Sequence, residues 1–114
     1  MWRDDPLLLD MLLAARHASQ HAHGLSRDSF LASKLHQDAV IRELQVLGEA
    51  AGRVSEEVRA EYPEIPWPQI VGLRNRLIHE YFRVKLDVVW DVVTEELPGL
   101  IEQLERIVPP QEGS

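Results

Sequence analysis

No cysteine occurs among the 114 residues. That absence removes disulfides, thiol nucleophiles and every cysteine-ligated zinc or iron–sulfur site together. No apolar run approaches the roughly 20 residues that cross a bilayer, so no membrane role is expected. The opening Met1-Trp2-Arg3-Asp4-Asp5-Pro6 lacks the basic and then apolar pattern of a secretory leader, and with the missing cysteines it points to a cytoplasmic protein. Aromatic residues are only 6% of the chain, and positive charge is also scarce: twelve bases face nineteen acids, a formal −7. What remains is 45% apolar and 27% charged, an ordinary globular composition in a chain long enough for one core. One domain is expected over 1–108, with a frayed tail over 109–114.

The scarce bases are unevenly placed. Between Ile70 and Leu86, Arg74, Arg76, Arg83 and Lys85 face Glu80 alone, a local +3, which leaves −10 on the rest of the chain. Such a chain can hold a phosphate at one place while its remaining surface repels polyanions. Four bases sharing a solvated face by chance would look the same.

Periodicity predicts helices throughout. Asp5 with Pro6 opens the first, carrying Leu7, Leu8, Met11, Leu12 and Ala15 at helical spacing, and Gly24 ends it. Ser26 caps a long second helix expected to run to about Gly52. On a wheel that helix bears two apolar stripes. Val40, Ile41, Leu44, Leu47 and Ala51 form one; Leu31, Leu35, Ala39, Val46 and Ala50 form the other, with Arg42 and Glu49 set into it. The second stripe asks for cover from this chain or a twin. Ser55 caps a short third helix ending at Tyr62-Pro63, and the prolines of 63–68 impose a rigid loop. A fourth helix spans about Pro68 to His79. A last one carries Leu86, Trp90, Val93, Leu97, Leu100, Leu104 and Ile107 in 4-3 steps, with a kink expected at Pro98. The fold class is all-α, an up-and-down bundle of four to five helices.

The fourth helix breaks the pattern of the others. Ile70, Val71, Leu73, Leu77 and Ile78 share one side, yet Arg74 falls inside that apolar arc. A guanidinium cannot be deprotonated there, so it needs a carboxylate, a path to water or an anion at an interface. Glu49 is the expected partner if the role is structural. Asn75 and His79 are neighbours at i, i+4 on the polar side. Arg74 and His79, at i, i+5, lie about 140° apart and about 7.5 Å apart along the axis. Two copies of the helix meeting across a twofold axis would bring one Arg and one His to a shared cleft.

The segment Gly72-Leu73-Arg74-Asn75-Arg76-Leu77-Ile78-His79-Glu80-Tyr81-Phe82 resembles the Arg-x-x-x-x-His-x-Tyr motif of HepT, the toxin of HepT–MntA systems in the HEPN ribonuclease superfamily. Gln37-Asp38-Ala39-Val40-Ile41-Arg42, Gly48-Glu49-Ala50-Ala51, Tyr62-Pro63-Glu64-Ile65-Pro66-Trp67 and Val88-Val89-Trp90 are similar to that family in the same order. The resemblance implies a HEPN-like homodimer acting as a metal-independent RNA endonuclease without a cofactor. It implies Arg74 and His79 as the catalytic pair and Asn75 as the polar residue beside them. Tyr81 corresponds to the tyrosine that an MntA-type minimal nucleotidyltransferase antitoxin modifies with AMP. Its RNA substrate would be guided, more weakly, by Arg76, Arg83 and Lys85. The competing reading is a catalytically silent HEPN module that serves as the nucleotide-binding or regulatory subunit of a nucleotidyltransferase.

These residue types suit the chemistry. RNA carries its own nucleophile, the 2′-hydroxyl, so the protein has only to move protons and steady a phosphorane. Imidazole titrates near cytoplasmic pH, and guanidinium offers a planar fork to two phosphate oxygens. His17 and His21, at i, i+4, show no third ligand in sequence, so no metal site is expected.

Overall fold

The computed structural model describes residues 4–80 and 83–109 and shows helices with no strand among them. α1 runs Asp5–Ala22, α2 Arg27–Leu31, α3 Lys34–Arg53, α4 Glu56–Glu61, α5 Trp67–His79, α6 Leu86–Asp91 and α7 Leu97–Ile107. A π-helical turn, Val92–Glu96, joins the last two. The all-α bundle expected from periodicity is the fold observed. α3 is its central element, packed against α1 and α5, and α7 closes onto α1. Leu8, Met11 and Ala15 of α1, Val40, Leu44 and Leu47 of α3, and Leu97 and Leu104 of α7 are all buried in one core.

The helix starts follow local chemistry. Ser26 and Ser29 form a reciprocal capping box on α2, and the Ser55 hydroxyl accepts from Val58 N–H to cap α4. Gly24 turns the chain at φ +80°, a left-handed conformation that suits glycine. At the N-terminus the expectation shifts by one residue. Asp4, not Asp5, precedes α1, and its side chain does not cap that helix. Its buried carboxylate instead accepts from Ser55 N–H at 3.2 Å and Ser55 Oγ at 2.7 Å, joining the start of α1 to the start of α4.

The long second helix is in fact two. The chain leaves α2 after Leu31 and begins α3 at Lys34, with Ser33 as a new N-cap whose hydroxyl accepts from His36 N–H at 3.3 Å. Gln37 Nε2 stabilises the break by donating to the carbonyls of Phe30 and Leu31, at 2.9 and 3.0 Å. Polar side chains thus replace backbone partners that an unbroken helix would have used. Of the second stripe only Ala50 is buried; Leu35 is 76% exposed, and Ala39 and Val46 are half-buried.

The stretch around Pro98 also departs from expectation. Leu97 N–H reaches back five residues to the Val92 carbonyl. Pro98 has no N–H to return to the preceding turn, and the wider π turn absorbs its ring. Downstream, Leu97, Leu100 and Leu104 face the core as expected, with Val93 beside them inside the π turn. Upstream, the inserted residue rotates the seam, so Val89 rather than Trp90 is fully buried, and Trp90 stacks 5.2 Å from Phe30.

Candidate active site

α5 is held at both ends by groups from the preceding elements. At its start, Trp67 Nε1 donates to the Tyr62 carbonyl at 3.0 Å, and the Arg59 guanidinium lies 5.8 Å from the Trp67 ring centroid. Arg59 also donates to the carbonyls of Val54 and Ala51, so the end of α3 and the start of α5 share one fastening. Near its end, Gln45 Nε2 on α3 donates to the Leu77 carbonyl at 3.3 Å. That carbonyl belongs to the last turn, where intrahelical donors run out.

Between these fastenings α3 and α5 come unusually close. A Cβ built on Gly48 would lie 2.1 Å from Arg74 Cβ, 2.8 Å from Arg74 Cγ and 3.1 Å from the Ile70 carbonyl. Only glycine fits at that crossing, and the space a side chain would take is filled by the stem of Arg74. A glycine inside a helix costs about 1 kcal/mol relative to alanine. Packing explains why it stands here.

The Arg74 guanidinium does not meet Glu49, which accepts from Arg53 one turn along α3 at 3.4 Å. Instead its Nη1 donates to Asn75 Oδ1 at 3.0 Å. Its Nε is buried and has no hydrogen-bond partner among the described residues. A buried donor left open is costly and marks a place where an acceptor is missing. The local pair wins over the cross-helix one because Arg53 and Glu49 share a helix face and need little ordering to meet.

The apolar arc expected on α5 is divided. Ile70 and Leu77 are buried, Val71 and Leu73 are half-buried, and Ile78 is 41% exposed. His79 is the last residue of α5 and is exposed, and its side chain has no hydrogen bond to any described residue. The structure therefore brings Arg74 and Asn75 together and leaves His79 facing solvent from the end of the same helix. Tyr81 lies outside the described residues, as does the tail beyond Pro109. Arg76 is about 200° from Arg74 around α5. It borders a small hollow with Arg83, Lys85 and Glu80.

Two residues that sequence reasoning did not single out, Gly48 and Gln45, prove to position α5. A glycine in mid-helix is the signal for the first; nothing local announces the second. For His17 and His21 the structure supplies a carboxylate absent from the sequence pattern, since Glu43 lies 3.8 and 3.9 Å from their ring nitrogens. No group of three His, Cys, Asp or Glu among the described residues is disposed to hold a metal ion. No helix among them is long and apolar enough to cross a membrane.

A small helical bundle whose central crossing seats an arginine, five residues ahead of a solvent-facing histidine, belongs to the class built around an Arg-x-x-x-x-His helix. The chain is a member of the HepT-like ribonuclease family, whose model matches residues 11–107. It is 36% identical over 106 residues to a candidate RNase of Methanocaldococcus jannaschii, covering 93% of this chain and 88% of that one. It is 31% identical over 103 residues to a candidate RNase of Caldanaerobacter subterraneus, covering 90% and 92%. Over 80 residues it is 39% identical to a probable ribonuclease HepT of Thermococcus cleftensis, covering 70% and 73%. No solved structure matches it significantly.

Proposed function

We propose that this chain is a metal-independent RNA endonuclease, the toxin of a toxin–antitoxin pair, working as a homodimer in the cytoplasm. The observation that carries this reading is the Arg74 guanidinium, seated on Gly48 with an open donor, on the helix that ends at His79. The names of the relatives support the same activity class. Dimerisation is supported by the α3–α5 face, where Leu35 and Ile78 are exposed and Val46 and Val71 are half-buried.

In this mechanism the ribose 2′-oxygen attacks the adjacent phosphorus as its proton leaves, and the bond to the 5′-oxygen breaks as that oxygen gains one. His79 carries a proton on one side of this exchange. Arg74 stays charged throughout and donates to the phosphorane oxygens, and Asn75 holds the fork in place through its amide oxygen. The products are a 2′,3′-cyclic phosphate and a 5′-hydroxyl. Arg76, Arg83 and Lys85 contact flanking phosphates. Incubation of the wild type and His79→Ala with total RNA in excess chelator tests the proposal. Cleavage by the wild type alone, leaving cyclic phosphate ends, is expected; cutting that needs a divalent ion, or that proceeds at a 2′-deoxy linkage, would overturn it.

Regulation follows from Tyr81, two residues past His79. Transfer of AMP to its phenol oxygen by an MntA-type nucleotidyltransferase antitoxin, with pyrophosphate leaving from ATP, adds a bulky anion two residues along the chain from His79, where it would compete with RNA phosphate. Tyr81→Phe is expected to cleave RNA at the wild-type rate and to stay active when antitoxin and ATP are added. Equal AMP incorporation into the Phe variant, measured by intact mass, would place the acceptor elsewhere.

A further inference from the structure

Among the described residues α5 packs on α3 but makes no substantial contact with α6 or α7. Between them lies a slot of about 580 Å³. Leu44 and Leu47 of α3 form its floor, Ile70 and Leu73 one wall, and Val88 and Leu97 the other. Interiors of proteins pack as densely as organic crystals, and a slot of this size lies in the range of ligand pockets. Its shape limits what can enter. Leu44 is 1% exposed, and Leu47 and Leu97 are each 2% exposed, so the slot is narrow where it reaches the core. A helix is about 10 Å across with its side chains and cannot reach that floor. An unbranched methylene chain fits above it, along the more accessible Leu73, Val88 and Val92.

Charge sets the direction of the occupant. At one end the slot shares Leu73, Arg76 and Val88 with the hollow bordered by Arg83, Lys85 and Glu80. Three bases against one acid give that mouth a net +2, on a chain whose total is −7. None of the three bases is ion-paired among the described residues, whereas Arg16, Arg27, Lys34 and Arg53 all are. At the other end Glu96 lines the slot and repels an anion. We propose that the slot binds the free anion of an unbranched, medium- to long-chain carboxylic acid, its alkyl chain along Leu73, Val88 and Val92 and its carboxylate at Arg76, Arg83 and Lys85. This inference stands on apolar shape and charge and holds whether or not the chain cuts RNA; where RNA binds, its phosphates compete with the carboxylate for the same three bases.

Titration calorimetry of the full chain with laurate, below its micelle concentration, tests the assignment. Saturable one-to-one binding is expected, with dodecyltrimethylammonium at least tenfold weaker. Gly72→Leu is the first blocking variant, because Gly72 lines the slot and a Cβ there meets nothing within 4 Å. Val88→Trp is the second and acts from the rim, where Val88 is 39% exposed. Each is expected to weaken laurate at least tenfold while helical circular dichroism is unchanged. Arg76→Gln combined with Arg83→Gln and Lys85→Gln should weaken laurate roughly tenfold, the effect of about one charge-assisted contact, and leave the alkylammonium no weaker. Unsaturable heat, equal affinity for the ammonium, indifference to both blocking variants, or association only with phosphatidylglycerol vesicles would each overturn the proposal.

Discussion

Arg74→Ala and His79→Ala chains, each inactive alone, are expected to recover about a quarter of the wild-type cleavage rate when mixed and allowed to exchange subunits. The expectation comes from where α5 aims its groups. Arg74 is drawn toward α3, its stem against Gly48 and its fork on Asn75, while His79 faces solvent at the helix end. About 140° of azimuth separates them, so one copy does not readily converge them on a single phosphate. If each site takes Arg74 from one protomer and His79 from its partner, a mixed dimer holds one intact site and one doubly broken site. Random exchange makes half the dimers mixed, hence the quarter. Sites confined to one protomer would show no recovery at any ratio. Either single substitution alone should reduce the cleavage rate by at least about a hundredfold, because acid–base and electrostatic contributions are each of that order.

The second large effect is expected at the helix crossing. Gly48→Ala places a methyl 2.1 Å from Arg74 Cβ and 3.1 Å from a backbone carbonyl, so α3 and α5 must separate. Overpacking of this kind typically costs about 1–3 kcal/mol. For a domain of this size that lowers the melting temperature by roughly 5–15 °C. Gly52→Ala is the matched control, since its new methyl would only touch Val71 Cγ2 at 4.0 Å. It removes the same helix-propensity penalty and should be neutral or stabilising by up to about 1 kcal/mol. Gly48→Ala should also lose cleavage beyond its loss of stability, because a displacement of about 1 Å in a positioned group can cost a hundredfold. Equal melting temperatures for the two variants, in parallel thermal scans at one protein concentration, would show that the crossing relaxes without strain.

Features set by neighbours along the chain are legible in the sequence. Gly24, Ser26, Ser55 and the prolines from 63 to 66 punctuate the helices where expected, and α5 begins and ends within a residue of its expected bounds. The Arg-x-x-x-x-His spacing and the segments around it lead to the family through residue identity alone. Features requiring two distant segments are not legible in the same way. Ser33 looks like an ordinary helix residue until Gln37 is seen covering the carbonyls that the break exposes. The wheel points to a carboxylate on α3 as the partner of Arg74, whereas α3 contributes a glycine against which the stem of Arg74 packs. The π turn stays hidden because Trp90 and Val89 are both apolar, so the pattern reads equally well with either one inward.

That turn gives the slot a mechanical dependence. If residues 92–96 wound as an ordinary α-helical turn with no change in length, everything upstream would swing by about 100° relative to α7. Val88 would leave the rim it now forms, and Trp90 would rotate toward the position Val89 occupies. A chain shorter by one residue there would instead keep Val89 in line with Leu97 and leave the rim where it is. Whether this bundle is hollow or solid beside α5 thus comes down to how five residues wind.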